Sequence, residues 1–238
     1  MTRETVTKYI TPPRLRGVEY LDDPRVDPRL VRRSLADVAL ANSLFGGTRA
    51  VLLEIEELLP RLAPNATLLD VGSGVGDIAA QARDLARRKG VDLSLVATDR
   101  AETLAAASRA RSGNAVCGDA AALPFADRSV DIVMCSQTLH HFDDDRAATV
   151  VRELDRVARV RVIVADLRRS WLAAAGLWCV SFPLRFHPVS RHDGVVSVMR
   201  GYTTQELRRL VASATGRTPV VRRRMGWRVT ATWCPEAA

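Results

Sequence analysis

The segment Leu68-Leu69-Asp70-Val71-Gly72-Ser73-Gly74-Val75-Gly76 constrains the fold of this chain more than any other stretch. An apolar run meets three glycines spaced by one residue, and a helical pattern from Val75 to Arg88 follows, stopped by Gly90. This predicts a buried strand that turns tightly into a helix, because glycine permits positive φ and close approach of backbone to a ligand. The same unit recurs downstream. Strands are expected at 66–71, 92–97 (ending at Asp99), 115–117, 130–135 and 160–167, with helices at 75–88, 101–111 and 144–158. Such alternation implies a parallel sheet with helices on both faces.

The pattern differs at both ends. Residues 1–24 read as irregular, with Pro12, Pro13 and Pro24 as breakers. Asp27 then caps a helix opening at Pro28 and ended by Gly46 and Gly47. Thr48 caps a second helix running to about Leu62. Towards the other end, residues 171–182 read as an apolar helix and residues 183–201 as a long irregular insertion. Thr203-x-x-Glu206 is a capping box for a helix to about Ala214. Val220–Met225 and Arg228–Trp233, split by Gly226, read as a closing antiparallel pair.

Composition narrows the classes. Of 238 residues, 47% are apolar and 26% charged, enough to bury a core and too few charges for general disorder. The net charge is +8, yet only Lys8 and Lys89 are lysines and the arginines are spread along the chain. A nucleic-acid footprint concentrates charge on one face, so Arg222, Arg223, Arg224 and Arg228 are the one cluster that argues for such a partner. The longest apolar run, Trp171 to Leu184, is 14 residues and contains Pro183, short of the ~18 that suggest a membrane span. Residues 1–20 lack the apolar core of a secretory signal. Cys117, Cys135, Cys179 and Cys234 lie far apart without zinc spacing, which reads as buried free thiols in a reducing, cytoplasmic setting with no metal.

Four places carry chemistry. The glycine turn lacks the Gly-Lys-Ser/Thr of a phosphate loop, and Asp77 stands where a dinucleotide fingerprint needs its last glycine. Asp99, closing the second strand, can accept the two hydroxyls of a ribose at the carboxyl edge of a sheet. Asp119, in Gly118-Asp119-Ala120, can accept from an adenine amino group. The fourth place is Ser136-Gln137-Thr138-Leu139-His140-His141-Phe142, just beyond the fourth strand.

Together the stretches LLDVGSGVGD, VATDRAE, CGDAAALPFADRSVDIVMCSQTLHHF and VRVIVADL resemble the class I S-adenosylmethionine-dependent methyltransferases, over roughly residues 64–168. The wording of Leu123-Pro124-Phe125 and Leu139-His140-His141-Phe142 is similar to the ubiquinone/menaquinone-type small-molecule group. Ser190-Arg191-His192-Asp193-Gly194 with Tyr202-Thr203 resembles bacterial polyketide and quinone-pathway methyltransferases. The resemblance implies an α/β Rossmann-like fold: a seven-stranded, mostly parallel sheet with an antiparallel last strand. It implies an N-terminal helical lid over residues 1–63, a core over 64–238 and a substrate-covering insertion at about 170–202. It implies S-adenosylmethionine as cofactor, with S-adenosylhomocysteine as product. Asp70, Gly72, Ser73 and Gly74 would cradle the methionine end, Asp99 the ribose, with Arg100 flanking adenine. Asp119 and Ala120 would fix adenine, and Ser136 with Gln137 would close the pocket. The Asn/Asp-Pro-Pro-Tyr/Phe of base-amino methylation is absent: the position reads Ser136-Gln137-Thr138-Leu139.

The expected acceptor is a small aromatic or quinone-like molecule methylated at carbon or a phenolic oxygen. A histidine is a natural base for such an acceptor near neutral pH, and His140, His141 and His192, the last beside Asp193, are the candidates. Trp171, Trp178, Phe182 and Phe186 are expected to wall the acceptor, with Tyr9, Tyr20, Leu44 and Phe45 closing the other side. The alternatives are an RNA or protein methyltransferase, suggested by the arginines, and a non-catalytic cofactor-binding scaffold. A homodimer is compatible with either enzyme reading.

Overall fold

The computed structural model describes residues 11–23 and 25–235. Strands β1 (Asn65–Val71), β2 (Asp92–Asp99), β3 (Asn114–Cys117), β4 (Val130–Ser136), β5 (Ala158–Leu167), β6 (Val220–Arg224) and β7 (Arg228–Trp233) form one sheet. Its order is β3-β2-β1-β4-β5-β7-β6. The first five strands are parallel, whereas β7 runs antiparallel between β5 and β6. The helices are α1 (Pro28–Leu44), α2 (Gly47–Leu58), α3 (Asp77–Arg88), α4 (Glu102–Ser112), α5 (Asp144–Val157), α6 (Trp171–Ser181), α7 (Pro188–Arg200) and α8 (Thr204–Thr215).

The period of two along each strand divides the core. Leu68, Ile132, Met134 and Ile163 pack with Val51 and Ile55 of α2 and Ile78, Ala79 and Ala82 of α3. Their neighbours Leu69, Val133, Cys135, Val162 and Val164 pack on the other face with Val150, Val151 and Leu154 of α5 and Leu207 and Val211 of α8. Both faces of the central strands are covered, as a parallel sheet requires. Across the sheet edge, Glu54 of α2 is buried and accepts from Arg222, Arg224 and Thr230.

The expected caps at Asp27 and Thr203 are present, the latter with its full box. Thr48 is not a cap: the cap is Gly46, two residues earlier, which takes φ +74. The expected irregular insertion at 183–201 is a correction of substance, since 188–200 is α7. His187 accepts from Val189 N–H at its start, and Val198 and Met199 bury against Ala173 and Ala174 of α6. Valines and a mid-helix glycine hide this helix from a propensity reading. The glycine has a packing reason: a Cβ on Gly194 would stand 2.9 Å from the Leu177 side chain. Cys135 is buried as expected, whereas Cys117, Cys179 and Cys234 are exposed. No single helix among the described residues is long and apolar enough to cross a membrane.

Candidate active site

A cavity of about 800 Å³ opens along the carboxyl edge of the sheet. Its lining includes Gly72, Ser73 and Gly74, with Asp99, Arg100, Asp119, Ala120, Ser136 and Gln137, whereas Asp70, expected beside them, is buried behind the turn and does not line it. It also includes His140 and His141. Parallel strands that share one carboxyl edge bring these dispersed positions together.

The glycine turn folds back onto β2. Gly72 and Ser73 N–H both donate to the Thr98 carbonyl, at 2.9 and 3.0 Å, and Gly74 N–H donates to Asp99 Oδ2 at 3.0 Å. These donors are spent inside the protein, so the turn offers little to a pyrophosphate. Gly72 has φ +71, and a Cβ there would run into the Thr138 side chain. What the turn offers is a crowd of carboxyl groups, of which Asp70 keeps its proton near neutral pH until a cation arrives. Burial pushes the Asp70 carboxyl up to about 8, with Asp77 and Asp99 adding repulsion. Burial also raises Asp99, against hydrogen bonds from the Ala101, Gly74 and Arg100 backbone. Three crowded carboxylates call for a cation. The ammonium and sulfonium of an S-adenosylmethionine methionine end supply one. Asp99 takes the Ala101 N–H on Oδ1 and the Gly74 N–H on Oδ2, and a carboxylate accepts about four bonds, so acceptor capacity remains for ribose hydroxyls.

Ser73 Oγ, Thr98 Oγ1, Ser136 Oγ, Gln137 Nε2 and His140 Nε2 are buried without a partner among the described residues, and all five residues line the cavity. Buried polar atoms are normally paired, so this ring of orphans fits a polar ligand. Asp119 accepts from Ala121 N–H and pairs with Arg146, and the Ala121 bond, ahead of Arg146, holds its carboxyl below the ordinary range. An adenine amino group there must share the carboxylate with Arg146.

The histidines separate into different settings. His140 is buried, its Nδ1 2.6 Å from Asp166 Oδ1, and its own N–H donates to Asp166 Oδ2 at 3.1 Å. Burial alone would raise the Asp166 carboxyl, but His140 and the Leu167 N–H hold it below the ordinary range. The carboxylate therefore takes Nδ1–H and leaves the lone pair on Nε2, which is buried at the cavity's edge 4.0 Å from Glu19 Oε1. His141 stacks on His140 with ring centroids 4.3 Å apart and meets Asp22 at 3.1 Å. His192 does not line the cavity. Asp193 does orient it, at 2.9 Å, but Asp193 also accepts from Tyr20 and Leu21 N–H, so the pair pins the 11–27 segment.

Glu19, His140 and His141 bring ligand atoms within 4.8 Å of one another. Arg200 already sits among them, 2.9 Å from Glu19 Oε1 and 3.4 Å from His141 Nδ1. The guanidinium supplies the positive charge that a metal would bring.

The acceptor wall also differs from expectation. Phe186 lines the cavity, whereas Trp171, Trp178 and Phe182 are half-exposed on the outer side of α6. Helical phase turns Leu172, Ala173, Gly176, Leu177 and Val180 inward instead. From α1 and its end, Val31, Leu35, Val38 and Phe45 face them. Leu44 and Tyr20 are exposed, and Tyr9 lies outside the described residues. Glu19, Asp22, Asp166, Arg200 and Arg228 were not read from the sequence as site residues. The turn at Gly226-Trp227 before Arg228 was the one available signal.

Residues 69–165 match the family described as methyltransferase domain. The match runs from β1 to β5 and takes in the turns that line the cavity. The donor of such domains is S-adenosylmethionine, which the carboxylates and orphan atoms above fit. The chain is 33% identical over 135 residues to the biotin biosynthesis bifunctional protein BioHC of Cellvibrio japonicus, covering 56% of this chain and 26% of that one. It is 32% identical over 117 residues to the demethylmenaquinone methyltransferase of Thermotoga maritima, covering 48% of each. The chain thus spans about a quarter and about half of the curated relatives it matches. The fold is shared with the magnesium protoporphyrin IX methyltransferase of Synechocystis with bound S-adenosylmethionine. There the TM-score is 0.54 at 13% identity, over 90% of this chain and 86% of that one.

Proposed function

We propose that this protein transfers the methyl group of S-adenosylmethionine to a small, flat, largely apolar acceptor, aromatic or quinone-like, at a carbon or a phenolic oxygen. The observation that carries this reading is the continuity of one cavity from the polar ring around Asp99 and Gly74 to the apolar wall of Leu35, Leu177 and Phe186. Ligand pockets combine such a wall with a few polar groups. The named activity of the Thermotoga maritima relative on a demethylmenaquinone points the same way.

Bound at the polar end, the cofactor supplies an electrophilic methyl and a neutral leaving group. The protein's part is proximity, orientation and exclusion of water. Asp99 holds the ribose, and Asp70, behind the glycine turn, adds negative charge towards the positive methionine end once it ionises. His140 Nε2 takes the acceptor's hydroxyl or enol proton while Asp166 holds the ring in the tautomer that can do so. One methyl moves to the acceptor and one proton to the imidazole. His140 and Asp166 are thus base and positioning residue.

The RNA- or protein-directed alternative is the weaker reading, because two of the three clustered arginines, Arg222 and Arg224, close on Glu54 at 2.8 and 2.7 Å. The test is turnover on a panel of phenols and naphthols with His140→Gln and Asp166→Asn. Turnover should fall about 10²–10⁴-fold for His140→Gln, with S-adenosylhomocysteine affinity unchanged. Raising the pH, or using an acceptor already ionised, should narrow the gap. Equal turnover by parent and variant would leave positioning as the whole mechanism. Tight cofactor binding without turnover on any acceptor would favour the scaffold reading.

A further inference from the structure

Arg228 opens β7 and is 6% exposed. It lines the cavity, and its Nε has no partner among the described residues. The other buried arginine among the described residues is matched, Arg169 pairing with Glu206 at 2.7 Å, and the partly buried Arg200 pairs with Glu19 at 2.9 Å. Arg228 has no ion pair of this kind among the described residues. The charge that partly offsets its burial is Asp166, whose carboxylate is engaged by His140 at 2.6 Å. Burial pushes the guanidinium down to about 10, which leaves it charged at neutral pH.

The backbone aims this side chain inward at some strain. Gly226 and Trp227 take φ +69 and +54, and the left-handed conformation is unfavourable for a tryptophan. A Cβ on Gly226 would collide with the Phe45 carbonyl, so the turn is pressed against the end of α1. Trp227 and Phe45 line the cavity beside Arg228. An isolated cation among apolar walls is costly unless a counter-charge arrives.

We propose that Arg228 is an anion-binding residue of the acceptor pocket and holds an ionised oxygen of the acceptor, a carboxylate or a phenolate. This rests on the reading of the cavity as a methyl-transfer site and specifies the charge of the acceptor that it takes. In the sheet, β7 stands three strand positions from β1, roughly 14 Å at ~4.8 Å per strand. The guanidinium therefore lies at the opposite end of the edge from the glycine turn, on the side of His140 and Asp166. A planar fork of donors matches a carboxylate in two parallel bonds, which a lysine cannot reproduce. The other source of an anionic oxygen is the carboxylate of the cofactor itself, and the experiment separates the two.

The probes are 1-hydroxy-2-naphthoate and its uncharged carboxamide, titrated calorimetrically into the protein saturated with S-adenosylhomocysteine. The parent should bind the carboxylate at least tenfold more tightly than the amide. Arg228→Gln should abolish that preference while leaving S-adenosylhomocysteine affinity within twofold of the parent. Arg228→Lys should keep part of the preference. Thermal melting of the ligand-free proteins gives a second readout: Arg228→Met should melt no lower than the parent, since it removes an unmatched buried charge. Equal binding of carboxylate and amide by the parent would overturn the proposal. So would loss of S-adenosylhomocysteine affinity in Arg228→Gln and Arg228→Lys alike, which would assign the guanidinium to the cofactor. Failure of the parent to bind S-adenosylhomocysteine at all would remove the underlying reading, and this proposal with it.

Discussion

The two ends of the cavity are built in different ways. The cofactor end comes from the tips of neighbouring parallel strands and the turns that leave them. Its contacts are short in sequence or fixed by strand pairing, as with Gly72 and Ser73 on Thr98. The acceptor end is assembled from distant parts. Arg14 reaches Asp144, Asp193 holds Tyr20 and Leu21, and Arg200 holds Glu19 and Asp22. One end is a property of the fold and must be rigid. The other is a clasp of segments 11–27 and 188–200, whose residues can change with the acceptor while the sheet stays as it is. Mutations should therefore divide by end: those at the turn act on folding and cofactor, those in the clasp on the acceptor.

The largest expected effect breaks the turn. Gly72→Ala places a Cβ at φ +71 into the Thr138 side chain, whose hydroxyl bonds the Gly72 and Ser136 carbonyls. Gly74→Ala, at φ +54, meets nothing within 4 Å. Overlap plus backbone strain should cost Gly72→Ala about 3 kcal/mol, while strain alone should cost Gly74→Ala about 1 kcal/mol. Denaturant unfolding of the two ligand-free variants measures this. Equal losses would mean that Thr138 yields freely and that the turn is less rigid than its hydrogen bonds imply.

An intermediate effect comes from Asp70. Its folded pKa, raised to about 8 by burial with help from Asp77 and Asp99, exceeds that of an unfolded carboxyl near 4. The folded protein then holds a proton that the unfolded chain has lost, so stability falls as pH rises from about 4 to about 8. Asp70→Asn removes that slope. The variant should gain on the parent as pH rises, by at least about 1 kcal/mol at pH 8. In the parent, binding the cationic cofactor should favour the ionised carboxyl and release a proton, visible as a buffer-dependent binding enthalpy. Parallel stability curves for parent and variant would refute the assignment.

What could be read in advance follows the same division. Asp70, Asp99 and Asp119 sit at fixed offsets from strands whose period is plain, so their convergence follows from topology. His140 was visible as a residue beyond β4, but its partner Asp166 was not, because β5 carries it as one polar residue in an apolar run. α7 was hidden because its stability comes from burying Val198 and Met199 on α6 rather than from propensity. The tryptophans of α6 suggested a wall by composition, yet helical phase placed smaller residues inside. Arg228 belonged to a basic cluster in sequence, and only the sheet separates it from Arg222 and Arg224, which are spent on Glu54.

The smallest expected effect tests the clasp itself. Burial would raise Asp22, but His141 and Arg200 overcome it and hold the carboxyl at about 2. Burial would lower His141, but Asp22 and Glu19 overcome it and raise the imidazole. The sign for each partner follows. A lowered carboxyl contributes stability above its unfolded pKa near 4 and loses it as pH falls towards 2. A raised imidazole contributes fully below its unfolded value near 6.5 and loses it as pH climbs past its folded value. The pair is thus tightest between about pH 4 and 6.5. Both side chains are about one-third exposed, so solvent screens the pair and its removal should cost under about 1 kcal/mol of stability. Asp22→Asn should raise the acceptor KM a few-fold near pH 6 and progressively less as the pH climbs past the raised folded value of His141. Cofactor affinity should change less than the acceptor KM, because no hydrogen bond among the described residues joins Gly74, Asp99 or Asp119 to the clasp, and His141 acts on Asp99 less than burial and the backbone N–H groups do. An equal rise in cofactor Kd and acceptor KM would show that the two ends move together and that the division drawn here is false.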